Sequence, residues 1–142
     1  MSATNAIDKN IQFLIDVNYQ RMVSFEQAAF LTNEISFKEF YLAKAEESEI
    51  NIQQLFIMLN IKQEEYNAGR AANAADLYMA EMFNGKKSPV RILESIKTFE
   101  KTIAKWYKAT LAEINDLPNE MVELVKGQYR SLTNARLQME TL

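Results

Sequence analysis

The chain contains no histidine and no cysteine. Without histidine there is no His-ligated zinc, no Ser-His-Asp triad and no proximal-His haem. Without cysteine there is neither a disulfide framework nor a thiolate site. A general base near neutral pH would have to be a shifted carboxylate or lysine, which makes an enzyme the less favoured class. Glycine (three) and proline (two) are scarce, and an all-β fold needs many tight turns built from them. No apolar run approaches the roughly 18 residues of a membrane span. The opening "MSATNAIDKNIQF" has neither the basic nor the apolar region of a secretion signal. These absences make a cytoplasmic location the expectation and exclude a membrane partner. A net charge of −3 argues against a nucleic-acid binder, which is usually basic.

What remains is an ordinary globular composition, 48% hydrophobic and 25% charged over 142 residues. That is the size of one domain, which buries roughly 68–70% of the surface its unfolded chain exposes. Apolar residues recur at intervals of three and four in four long stretches, the signature of amphipathic helices. The first, about 5–30, carries Ile7, Ile11, Leu14, Ile15, Met22, Phe25 and Ala29, with Asn18 inside the stripe. The second, about 37–60, opens on a capping-box pattern, Ser36 with Glu39, and runs through Phe37, Tyr41, Ala45, Ser48, Ile52, Leu55 and Leu59. The third, about 89–115, starts with Ser88 as N-cap and Pro89 as first helical residue. Its stripe is Ile92, Ile96, Phe99, Ile103, Tyr107, Leu111 and Ile114. The fourth, about 118–141, follows Pro118 and carries Met121, Val125, Leu132, Ala135 and Met139. Between the second and third lies a long connection whose "ADLYMAEMF" predicts a short extra helix at about 74–84, closed by Asn84-Gly85. Two short joins and one long connection predict a single all-α domain over residues 1–142. Its architecture is a ferritin-like four-helix bundle with a long crossover connection.

The segments "FLIDVNYQRMVSFEQAA", "FYLAKAEESEINIQQL", "SPVRILESIKTFEKTIAKWYKATL" and "DLPNEMVELVKGQYRSLTNARLQMETL", in this order, resemble a family of ferritin-like four-helix-bundle bacterial proteins of unknown function. The resemblance covers almost the whole chain and implies a ferritin-like fold and a bacterial origin, with no established activity. In that family the last helix commonly carries a histidine after a Gln-Tyr-like segment; the matching position here, counted from Gln128-Tyr129, is Arg136. Glu26 and Glu100 match glutamates that the family usually shows on its first and third helices. The wider superfamily holds two metals with glutamates on two helices and Glu-x-x-His on the other two. This chain has no Glu-x-x-His, so it departs from the usual iron-oxidising composition.

Helical geometry sorts the carboxylates. On the second helix Glu49 lies roughly 90° from the stripe centre and Glu46 and Glu47 lie further still, a solvated face. Glu100, four after Ile96, lies on the core-facing flank, and Glu26, four after Met22, lies nearer the edge. These two are the metal candidates, and an all-oxygen site would favour a hard divalent ion. The bland alternative is a pair of carboxylates at the bundle margin. Arg136 is the expected cation beside Glu26, standing in for a metal. Asn18, Ser48, Gln128 and Glu100 fall near the helix midpoints and predict a polar, register-setting layer. Gly127 lies off the core stripe and receives no role. Lys97, Lys101, Lys105 and Lys108 form one row on the third helix, a solvated face rather than an anion site. Ile50 and Ile57, opposite the second stripe, and Phe13, on the far side of the first helix, need a cover from the long connection or from a second subunit, and a homodimer is slightly favoured. The functional expectation is a non-catalytic structural or interaction module, stress-related by superfamily analogy and binding no cofactor. The alternative is a divalent-metal-binding or di-metal carboxylate oxidoreductase bundle using Glu26 and Glu100.

Overall fold

The computed structural model describes the backbone of residues 2–62 and 88–142, and side chains from residue 9 onward within those ranges. All secondary structure in the described residues is helical: α1 (Ser2–Leu31), α2 (Ile35–Leu59), α3 (Pro89–Glu113) and α4 (Asn119–Met139). The long connection and its expected short helix at 74–84 lie outside the described residues.

Local chemistry sets most of the boundaries. Ser88 accepts a hydrogen bond from the Arg91 amide at 3.2 Å ahead of Pro89, the cap that the Ser-Pro pair predicts. The Pro118 carbonyl accepts from the amides of Met121 and Val122 at the start of α4. At the end of α2, Asn60 adopts a left-handed conformation (φ 56°, ψ 40°). Its amide donates to the Ile57 carbonyl and that of Ile61 to Phe56, a Schellman-like stop sealed by Ile61 packing on the core. The start of α2 departs from expectation. Glu34 is the N-cap and makes no side-chain cap bond, so Ser36 sits within the first turn and the Ser36–Glu39 capping box does not form. Only Thr32, Asn33 and Glu34 separate α1 from α2, and reversing the chain in so few residues starts the helix early.

Side-chain pairings fix the helix directions. Arg21 meets Ser48 while Asn18 meets Asn51, so α1 and α2 are antiparallel. Arg21 meets Glu100 while Asn18 meets Tyr107, so α1 and α3 are antiparallel as well. Tyr107 reaches Gln128 and Lys97 approaches Glu140, which makes α3 and α4 antiparallel. It follows that α2 and α3 point the same way, as do α1 and α4. The helices pack in the order α2, α1, α3, α4, and the α2–α4 seam is the loosest of the four sides.

The interior holds two apolar clusters. One gathers Ile11, Leu14, Ile52, Leu55, Ile103 and Val125. The other, toward the α1–α2 turn, gathers Phe25, Ala28, Tyr41, Ile92, Ile96 and Met139. The periodic stripes read from the sequence supply all of the residues just named except Ala28, and the buried Val17, Tyr19, Phe56, Leu93 and Leu117 join them from outside the stripes. Trp106 meets Phe13 edge-on, with ring centroids 5.8 Å apart, so Phe13 gains part of its cover from α3.

Tyr41 is fully buried among Phe25, Phe37 and Phe40. Its hydroxyl has no hydrogen-bond partner among the described residues, and burial pushes its pKa up to about 12. An unsatisfied buried hydroxyl costs about 1–3 kcal/mol, whereas an apolar group of the same shape does not. Tyr41→Phe is therefore expected to raise stability by about 1 kcal/mol in urea unfolding; a loss of stability would show that the hydroxyl has a partner.

Candidate functional site

Between the two apolar clusters lies a polar belt centred on Arg21. Leu14, Asn18, Arg21, Phe25 and Ala28 follow one another at helical spacing on α1, and all five are buried. Arg21 has no exposed surface. Its Nε donates to both Glu100 oxygens at 3.1 and 3.0 Å, and its Nη2 donates to Glu100 Oε1 at 3.0 Å. Nη1 donates to Glu47 Oε1 at 2.9 Å and to the Ser48 hydroxyl at 3.1 Å. The guanidinium carbon lies 5.1 Å from the centre of the Phe25 ring, within cation–π range. Glu47 in turn accepts from Lys44 at 3.2 Å. Two cations thus face two carboxylates, and the belt carries no net charge. Burial pushes the guanidinium pKa down, but Glu100 and Glu47 outweigh it and hold the group above its ordinary value.

A second layer lies one turn away and draws side chains from all four helices. Asn51 Nδ2 donates to Asn18 Oδ1 at 3.1 Å, and Asn18 Nδ2 donates to the Tyr107 hydroxyl at 2.7 Å. That hydroxyl donates to Gln128 Oε1 at 2.7 Å. Gln128 Nε2 donates to the Asn51 carbonyl at 3.4 Å and to Gln54 Oε1 at 3.1 Å. Burial raises the Tyr107 pKa far above its usual value, so the hydroxyl keeps the proton it donates.

Asn18, Ser48, Gln128 and Glu100 are all buried, but they divide between the two layers. Arg21 and Asn51 were missed by sequence reasoning. The available signal was the helical phase of α1, which places Arg21 three residues after Asn18 and four before Phe25. Glu47, expected on a solvated face, is only 23% exposed in its side chain and bonds Arg21. Its length carries the carboxylate inward from the flank. Glu46 and Glu49 are exposed.

The two metal candidates occupy different surroundings. Glu100 is 1% exposed and both its oxygens accept from Arg21. Glu26 is exposed; partial burial of its carboxyl and the nearby charge of Glu49 raise its pKa. Arg136 is half-buried, and Arg21, not Arg136, is the cation that meets the core carboxylate. Among the described residues, no three His, Cys, Asp or Glu side chains are grouped as a metal would need. In the lysine row, Lys101, Lys105 and Lys108 are exposed and Lys97 lies 3.8 Å from Glu140. No described helix is long and apolar enough to cross a membrane. No family model, curated protein or solved structure matches the chain.

The belt can hold charge and fix helix register. Removing one member of a buried ion pair strands its partner and costs about 3–5 kcal/mol. Arg21→Met is expected to lose that much in urea unfolding, and Arg21→Met combined with Glu100→Leu to recover most of it. A single-variant loss below about 1 kcal/mol would place the pair among interactions of surface strength.

Proposed function

We propose that this chain is a non-catalytic, ferritin-like four-helix bundle that acts as a structural or interaction module. The observation that carries this reading is Arg21. A guanidinium cannot lose its proton to ligate a metal, and here it occupies the oxygens of the innermost carboxylate, Glu100. The missing Glu-x-x-His and the absence of histidine point the same way. A crossover between α2 and α3, the ferritin-like connection, is supported by the shared direction of those helices. Bacterial origin, a cytoplasmic setting and a role in stress adaptation belong to the same proposal and rest on family resemblance and superfamily analogy.

The interaction role is supported by one end of the bundle, where α1 and α4 finish and α2 and α3 begin. Phe30, Ile35, Val90 and Leu137 are all exposed there. Large apolar side chains gathered at one end favour association, and a second copy of the chain is the partner we favour.

Two measurements test the reading. Elemental analysis of protein purified without chelator, followed by calorimetric titration with Mn²⁺, Fe²⁺ and Zn²⁺, is expected to give no tight stoichiometric binding. Binding that disappears in Glu100→Ala would replace the proposal with a metal-binding bundle. Sedimentation over a range of concentrations is expected to show a dimer that weakens in Phe30→Ser/Ile35→Ser, whereas a monomer throughout would remove self-association.

A further inference from the structure

The α2–α4 seam opens into a groove with a volume of about 470 Å³, within the range of small-molecule sites. Small residues keep it open: Ala43 on one wall, Gly127 and Ser131 on the other. Glycine is a poor helix former, yet Gly127 lies inside α4. Packing does not require it, because an added Cβ would meet only Arg130 Nη2, at 3.9 Å. The missing side chain leaves space in the groove instead.

The lining has a consistent chemical order. Glu46 and Glu47 stand toward one end and Glu123 toward the other, with Ile50 and Leu124 between them. The amide side chains of Asn51, Gln54 and Gln128 also line it, and among the described residues no lysine or arginine does. Asn51 and Gln54 lie level with Gln128, which bonds both residues. Counting along the antiparallel helices from that level, at about 1.5 Å per residue, separates the two acidic ends by about 15 Å. Glu47 is committed to Arg21 and Lys44, which leaves Glu46 and Glu123 as the main charged contacts. Among the described residues, the cation beside Glu123 is the half-exposed Lys126, at 3.8 Å. A compact ion cannot bridge such a separation, whereas an extended chain with ammonium groups at intervals and methylenes between them meets acid, apolar and acid surfaces in turn.

We propose that the α2–α4 groove binds a linear aliphatic polyamine, its terminal ammonium groups on Glu46 and Glu123 and its methylenes along Ile50 and Leu124. The groove shares Glu47, Asn51 and Gln128 with the core layers, but neither Arg21 nor Glu100 lines it, so a failure of spermine binding and a failure of the metal-free reading of the core are distinguishable.

Spermine is the probe, followed by calorimetry and by amide chemical shifts, with Mg²⁺ at matched ionic strength as the compact-ion control. Spermine is expected to bind one-to-one and to shift the amides of Asn51, Gly127 and Ser131, with Mg²⁺ leaving them in place. Glu46→Gln/Glu123→Gln should weaken binding about tenfold, the scale of two exposed ion pairs. Gly127→Leu, which substitutes a better helix former, should keep the helical circular dichroism of the parent and lose binding. The proposal is overturned by absent shifts at millimolar spermine, by the same shifts with Mg²⁺, or by undiminished binding in Gly127→Leu.

Discussion

The structure depends on keeping a full positive charge where it has no surface exposed to solvent. Taking a guanidinium and a carboxylate out of solvent costs several kcal/mol each, and their attraction offsets this only when geometry is good and the remaining hydrogen-bonding groups are satisfied. Arg21 meets that condition by spreading its donors over α2 and α3. Glu100 accepts from two nitrogens, while Glu47 and Ser48 accept from the third. The return is specificity. A slip of α1 by one turn would carry Arg21 away from Glu100 and leave that buried carboxylate without its cation, a penalty that apolar side chains packing on one another do not impose.

The same constraint explains which parts of the fold were legible in the sequence. Apolar stripes are a periodic property of each helix alone, so Ile96, Phe99, Ile103 and Val125 could be placed inward without knowing their neighbours. Ser88-Pro89 marks a helix start for equally local reasons. The start of α2 was not legible, because the boundary follows the shortness of the turn rather than the Ser36–Glu39 pattern. Pairing between helices was harder still. Arg136 was chosen as the core cation from a family correspondence, while Arg21 stood in the apolar phase of α1 and was overlooked because arginine is usually a surface residue. Glu47 shows the complementary difficulty: angular position describes where Cβ points, and a long side chain can turn back toward a buried cation.

Core and groove differ in what they offer a ligand. In the core, Glu100 is occupied by a protein donor that cannot dissociate. Along the α2–α4 seam the walls are small and the acids remain within reach of solvent. Chemistry is therefore more accessible at the weakest helix contact than at the most heavily charged position.

The layer of Asn18, Tyr107, Gln128 and Asn51 has one further consequence. Four of its hydrogen bonds run in the same sense, from Asn51 to Asn18, on to Tyr107, then Gln128, and back to the carbonyl of Asn51. In such a circuit each bond polarises the next. The last acceptor is a main-chain oxygen, which cannot donate, so the current of donors cannot be reversed by flipping an amide. The order of donors and acceptors across the four helices is thus set by a single peptide group.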